Sequence, residues 1–158
     1  MILGKKDDLI FYGINDQYLI KAVEPNGKEL FSFSIKGRKR NKISNVYKKK
    51  EGLRSTGNIP DSSTYFYRIY VDDNDLIYTF VSDLENQNTR MIDIFSPEGE
   101  YLYRAALQAP QDHIAQSGGF MFHNNSIFVV FEDPDGEIIL NRYQIDQPNP
   151  GKEWKICY

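Results

Sequence analysis

Apolar residues in this chain fall into short runs and almost never at helical spacing. Runs rich in Ile, Val, Phe and Tyr are cut by Asn, Asp, Gly and Pro, the pattern of strands joined by tight turns. The stretch "FSFSI" alternates strictly, with Phe31, Phe33 and Ile35 on one side and Ser32 and Ser34 on the other. That is a strand with one wet face. By contrast "LIFYGI", "LIYTFV" and "SIFVVF" are almost continuously apolar, as suits strands covered on both sheet faces. The clearest set of four strands is predicted over 65–71, 76–81, 90–95 and 101–107. The predicted fold class is all-β.

The pattern repeats. "ILGKKDDLIFY" from Ile2 lies over "IYVDDNDLIYT" from Ile69 at an offset of 67, and "GFMFHNNSIFV" from Gly119 follows at a further 50. Later in the unit "PNGKEL" from Pro25 lies over "PEGEYL" from Pro97 at an offset of 72. The extra residues sit in one turn, where "VSDLENQNTR" is longer than "INDQYL". "NPGKEW" from Asn149 writes the same turn once more. Three units follow, about 1–36, 65–108 and 118–158, with a basic connection over 36–64. Each is predicted to hold four antiparallel strands. The first unit keeps only "MIL" of its opening strand, and the last ends on "EWKICY". The glycine of each Pro-x-Gly is predicted to supply the positive φ of a hairpin turn, with proline fixing φ before it. No helix follows these glycines, so they do not read as a phosphate cradle. A sheet graded from doubly buried to half exposed fits a propeller blade, packed between neighbours near the axis and wet at the rim.

The pattern "VDDNDLIY" followed by "IDIFSPEGEYL" resembles the six-bladed β-propeller families related to NHL repeats, common among uncharacterised exported bacterial proteins. The resemblance spans most of the chain, about three repeats. It implies four-stranded blades forming part of a ring, here its C-terminal half, whose axis and loop faces bind partners. Some proteins with that ring are lyases or metal-assisted hydrolases. None of their catalytic residues matches a position here, so none is carried over. Propellers close with about 4–8 blades, and three do not close. A half-ring leaves two apolar blade faces and unpaired strand edges. Either missing N-terminal blades complete the ring, or two copies associate head to tail as a homo-oligomer.

Bulk composition narrows the picture modestly. A chain of 158 residues suits one domain, burying roughly 70% of the surface its unfolded form exposes. A single cysteine, Cys157, permits no intrachain disulfide. No apolar run approaches the roughly 18 residues of a membrane span, and the start lacks the apolar segment of a secretory signal. The compartment stays open, extracytoplasmic if the parent chain is exported.

Net charge, −3, hides a strong asymmetry. Between positions 36 and 54 lie nine of the 19 Lys and Arg, with Glu51 the only acid, a local +8 against −11 elsewhere. The functional reading is an anionic partner bound by Lys36, Arg38, Lys39, Arg40, Lys42, Lys48, Lys49, Lys50 and Arg54, with Tyr47 able to stack on a base. The competing reading is a long solvated connection whose cations answer acids of its own ring, the commoner role of charge runs in loops.

Other candidate chemistry is thinner. "VDDNDL" (Asp72, Asp73, Asp75) and "FEDPDGE" (Glu132, Asp133, Asp135, Glu137) place oxygens as a calcium loop begins, without its closing bidentate Glu. Asp-Pro-Asp-Gly is also a hairpin turn in its own right. His113 and His123 have no ligand set around them, where zinc needs three or four. No metal site and no cofactor is predicted. "QSGG" (116–119) reads as a loop entering a strand rather than a nucleophile elbow, and Cys157 as a packed residue of the last strand. Arg90, Asp93, Arg104 and Arg142 sit within strands and predict ion pairs between blades or at the rim. The leading expectation is a non-catalytic module presenting loops to a protein, glycan or small ligand. The second is polyanion binding, to nucleic acid or acidic glycan, through 36–54. Net charge by itself implies no polyanion partner, and nucleic acid is the less expected partner, kept open by the basic segment. The third is a fragment of a propeller lyase or hydrolase.

Overall fold

A computed structural model describes residues 2–6, 8–14, 17–43, 62–81, 89–110, 114–133 and 135–144. Among these residues there is no helix. Eleven strands form three antiparallel sheets. The first sheet is a meander of β1 (Ile2–Lys6), β2 (Leu9–Ile14), β3 (Leu19–Val23) and β4 (Glu29–Ser34). The second contains β5 (Phe66–Val71), β6 (Ile77–Val81), β7 (Thr89–Phe95) and β8 (Tyr101–Gln108) in chain order. The third contains β9 (Ile114–His123), β10 (Ser126–Glu132) and β11 (Ile138–Gln144).

Two local readings are corrected. The opening strand extends past "MIL": β1 pairs with β2 from Ile2 opposite Gly13 to Lys6 opposite Leu9. The backbone ladder needs only N–H and C=O groups, so the polar Gly-Lys-Lys stretch joins it as readily as an apolar one. "QSGG" is strand, not loop, because it lies inside β9. There the β9–β10 register shifts between Val129 and Phe131, an irregularity that accommodates the paired glycines. The strand read from "EWKICY" and the turn read from "NPGKEW" lie outside the described residues, as do His113 and Cys157.

One turn recurs four times. At Glu24–Lys28, Asp72–Leu76, Ser96–Glu100 and Asp133–Glu137, the fourth residue donates its N–H to the first carbonyl. The first residue in turn donates to the fifth carbonyl. The fourth residue has positive φ each time: Gly27, Asp75, Gly99 and Gly136. In three copies the first side chain also accepts two backbone N–H groups. Asp72 Oδ1 takes those of Asn74 and Leu76, Ser96 Oγ those of Glu98 and Glu100, and Asp133 Oδ1 those of Asp135 and Glu137. The Pro-x-Gly repeat is thus a hairpin device, as its spacing predicts. The acid-rich turns use the carboxylates of Asp72 and Asp133 to cap their own backbones, which is the work Asp does in such turns. Among the described residues no group of His, Cys, Asp and Glu is placed to hold a metal ion.

Gly99 differs from Gly27 in its surroundings. A Cβ at Gly27 meets nothing within 4 Å, whereas one at Gly99 comes within 2.5 Å of the Phe33 ring. Gly27→Ala is therefore expected to cost about 1–2 kcal/mol in backbone strain. Gly99→Ala adds an overpacking penalty, for a total of about 2–4 kcal/mol. Urea unfolding of the two variants side by side checks the difference, and equal losses would refute the packing term.

The sheets stack face to face, with the second in the middle. Along β6 the alternation that places Ile77 on one face places Tyr78 and Phe80 on the other. Ile77 joins Phe66, Ile69 and Phe95 against Phe11, Tyr18, Ile20 and Phe33 of the first sheet. Tyr78 and Phe80 join Ile92, Ile94 and Leu107 against Phe122, Ile127, Val129 and Phe131 of the third. This double burial explains why β6 reads as a continuous apolar run. Aromatic contacts dominate both seams, with Tyr70 stacked on Phe122 at 4.0 Å and Phe33 tilted on Phe95 at 4.9 Å. Small residues set the approach of the first two sheets. A Cβ at Gly13 would lie 2.3 Å from the Phe66 ring, and one at Gly4 would lie 3.0 Å from the Ile69 carbonyl oxygen.

Candidate anion-binding site

Beyond β4 the chain turns at Ile35–Arg38, closed by the Arg38 N–H on the Ile35 carbonyl at 3.4 Å. It then runs back toward the second sheet. Its far end is pinned by an antiparallel bridge between Lys42 and Ser62, and by the Ser63 N–H on the Asn41 carbonyl at 2.9 Å. Ile43 and Ser63 are buried there. The described ends of the basic connection therefore lie side by side.

The turn delivers Arg38 to a carboxylate. Asp93 lies on β7 in an otherwise apolar stretch, Met-Ile-Asp-Ile-Phe, and its side chain is fully buried. Directly opposite on β8, Arg104 grips it with two hydrogen bonds, Nε to Oδ1 and Nη2 to Oδ2, both 2.8 Å. Such a two-point pairing is the strong geometry for guanidinium and carboxylate. Arg38 Nη2 donates to Oδ1 at 3.1 Å, and the Tyr18 hydroxyl donates to Oδ2 at 2.9 Å. Four donors occupy the four lone-pair positions a carboxylate offers. Tyr18 also shares a short hydrogen bond with the Thr79 hydroxyl on β6. Tyr18 and Arg38 come from the first-sheet segment and Asp93, Arg104 and Thr79 from the second, so the cluster ties the two sheets together.

Electrostatics follow from the burial. Tyr18 is pushed far above the ordinary phenol range, first by burial and then by the negative charge of Asp93. Burial alone would lower the pKa of Arg104, but its hydrogen bonds to Asp93 and the attraction of that carboxylate outweigh this and raise it. Arg104 thus stays charged. Two guanidinium groups share one carboxylate, which leaves a surplus positive charge at the base of the site. Arg38 Nε is buried and has no hydrogen-bond acceptor among the described residues, and such an atom calls for an explanation.

Above the cluster is a cavity of about 410 Å³ lined by Ile35, Lys36, Gly37, Arg38, Lys39 and Arg40, with Asn41, Tyr65, Val81 and Arg104. Five of these residues are cations and none is an acid. Two arginines are held by aromatic faces, Arg40 over the Tyr65 ring at 5.2 Å and Arg38 over the Tyr101 ring at 5.9 Å. Lys36 and Lys39 are exposed at the rim, and Arg38 and Arg40 are half-buried.

Of the ten residues assigned to a basic patch, four gather here: Lys36, Arg38, Lys39 and Arg40. Lys42 is exposed in the bridge to Ser62 and does not line the cavity. Tyr47, Lys48, Lys49, Lys50 and Arg54 lie outside the described residues. The ion pairing expected for Asp93 and Arg104 is observed, both across the sheet and between sheets through Arg38. Arg142 instead donates to Ser126 Oγ at 2.9 Å. Sequence reasoning missed Tyr18, Tyr65 and Tyr101. The available signal was Asp93 itself, since a lone carboxylate inside an apolar strand must be paired when buried. His123, exposed at the end of β9, has its Nε2 within 3.0 Å of the Asn124 amide nitrogen. No protein-family model matches the chain, and no curated protein matches it.

Proposed function

We propose that this protein is a non-catalytic binding module, built from propeller-type blades, that takes a small anionic ligand in the cavity beside Arg38 and Arg104. The observation carrying the reading is a cavity of about 410 Å³ walled by five cations, with the buried Asp93 carboxylate as the countercharge beneath. Its volume falls in the range of small-molecule pockets, roughly 300–1,000 Å³. A carboxylate- or phosphate-bearing ligand would balance the surplus charge and offer acceptors to guanidinium groups already oriented by Asp93, Tyr65 and Tyr101. Pre-orientation lowers the entropic cost of binding. The blade reading, of the kind found in NHL-related six-bladed propellers, is supported by antiparallel meanders, two of four strands and one of three, stacked face to face with equivalent strands in equivalent places. The enzyme alternative draws less support. Both buried acids among the described residues, Asp72 and Asp93, have their oxygens occupied by hydrogen bonds, so neither is poised as a base.

Calorimetric titration with pyrophosphate or citrate tests the reading. Binding is expected to weaken steeply as salt rises from about 50 to 300 mM, because exposed charges are screened. Lys36→Glu with Lys39→Glu, both at the exposed rim, is expected to lower affinity at least about tenfold without changing stability by more than about 0.5 kcal/mol. Affinity unchanged by the double reversal would refute the site. Binding only to long polyanions such as heparin would transfer the function to the wider segment 36–54.

A further inference from the structure

The three sheets use their faces in a fixed order. β2, β6 and β10 overlay residue for residue, so Ile10, Ile77 and Ile127 are equivalent, as are Phe11, Tyr78 and Phe128. Phe11 on the first sheet faces the second, and Tyr78 on the second faces the third. Ile77 on the second faces back to the first, and Ile127 on the third faces back to the second. Each sheet thus presses its forward face on the backward face of the next, and the chain makes this contact twice.

Among the described residues two faces have no neighbour, and they are the complementary pair. On the forward face of the third sheet, Leu140 lies opposite Val130 as Ile92 lies opposite Phe80 on the second. Ile92 is fully buried, while Leu140 is 61% exposed. Met121 lies opposite Phe128 as Tyr70 lies opposite Tyr78. Tyr70 is covered by Phe122, while Met121 is 55% exposed and Ile138, on the same face as Leu140, is 68% exposed. On the backward face of the first sheet, Ile10, Tyr12, Ile14 and Leu19 are only half-buried, although Ile77 and Thr79, the equivalents of Ile10 and Tyr12, are fully buried. The charge pair on that face, Lys21 with Glu29 at 2.6 Å, neutralises itself.

We infer that a second copy of this chain seats the backward face of its first sheet on the forward face of the third sheet, and that the first copy reciprocates. Two three-sheet chains then close into one six-sheet ring, within the roughly 4–8 blades that close a propeller. The contact is heterologous and uses both free faces of each copy, so it terminates at the dimer. The occupant is a second copy because the contact continues an interface already formed twice within the chain, with the same strand positions meeting in the same order. The inference rests on the stacked-blade reading but not on anion binding. The cavity is lined by the segment after β4 and by residues of and beside the second sheet, and neither Leu140 nor Tyr12 lines it, so titration of the variants below reads that proposal separately.

Light scattering coupled to size exclusion, with the full chain between about 1 and 100 µM, is expected to give twice the chain mass. Leu140→Lys and Tyr12→Lys are each expected to weaken the dimer at least about 30-fold, as for central interface positions, with an unchanged circular dichroism spectrum. A wild-type monomer throughout that range overturns the inference. So does a dimer broken by only one of the two variants, which would mean like faces packing on each other. An open-ended series of higher oligomers, meaning the rotation does not close, overturns it as well.

Discussion

Asp93→Ala is expected to destabilise the protein by about 3–5 kcal/mol, the usual cost of removing one member of a buried charge set. The substitution removes the acceptor for Arg104, Arg38 and Tyr18 at once. Two guanidinium groups and a phenol, all partly or wholly desolvated, then face one another without a counter-charge. Asp93→Asn should be little better, because its amide brings donors to a place that already holds only donors. Urea unfolding checks this through the midpoint at constant slope, and a loss below about 1 kcal/mol would show that the cluster is not structural. A second variant separates stability from binding. Replacing Asp93, Arg38 and Arg104 together by Leu, Met and Met is expected to restore most of the lost stability, since apolar replacement of a whole buried ion set is often neutral. It should also abolish anion binding, because the cavity loses two of its cations.

Alkaline pH is expected to unfold the protein steeply. Tyr18 and Tyr78 are both held far above the ordinary phenol pKa, which is about 10. For Tyr78 the causes are burial first, then its hydrogen bond to Asp72 and the charge of that carboxylate. Below about pH 10 both tyrosines are protonated whether the chain is folded or not, and they add no pH dependence. Above it the unfolded chain releases these protons while the folded chain keeps them. The unfolded state then binds fewer protons, so stability falls as pH rises. The slope approaches about 1.4 kcal/mol per pH unit for each tyrosine, roughly 2.7 for both. Tyr67, also raised by burial but more exposed, adds a smaller share in the same direction. Urea midpoints measured from about pH 8 to 11.5 should trace this fall. Tyr18→Phe and Tyr78→Phe should each remove one tyrosine's contribution. A flat profile up to pH 11.5 would mean that neither phenol is as deeply held as its surroundings require.

Much of the fold was legible because strands and turns are written in local chemistry. The period-two alternation of Phe31, Ser32, Phe33 and Ser34 survives as an inward and an outward face on β4. The Pro-x-Gly turns carry positive φ at Gly27 and Gly99 as the steric argument demands. Misreadings arose where polarity was taken as a proxy for backbone pairing, at Gly4–Lys6 in β1 and Gln116–Gly119 in β9, since a ladder is indifferent to what its side chains carry. The site was half legible. Lys36, Arg38, Lys39 and Arg40 stood out as charge, and Asp93 and Arg104 as charges inside strands. That Arg38 would leave the solvated run to bind Asp93, 55 positions away, had no local signature.

The chain alone determined that it would form hairpin meanders and where they would turn, because those follow from φ preferences and from the alternation of side chains along a strand. Of the three apolar runs expected to be covered on both faces, only β6 is, while β2 and β10 bury one face and leave the other half-exposed. Only the tertiary structure decided that the second sheet lies between the other two, that a basic loop folds onto a buried carboxylate, and that tyrosines from one sheet cap charges on another. Those outcomes depend on which distant surfaces meet, and the energy of a buried charge is set by its partners in space rather than by its neighbours in sequence.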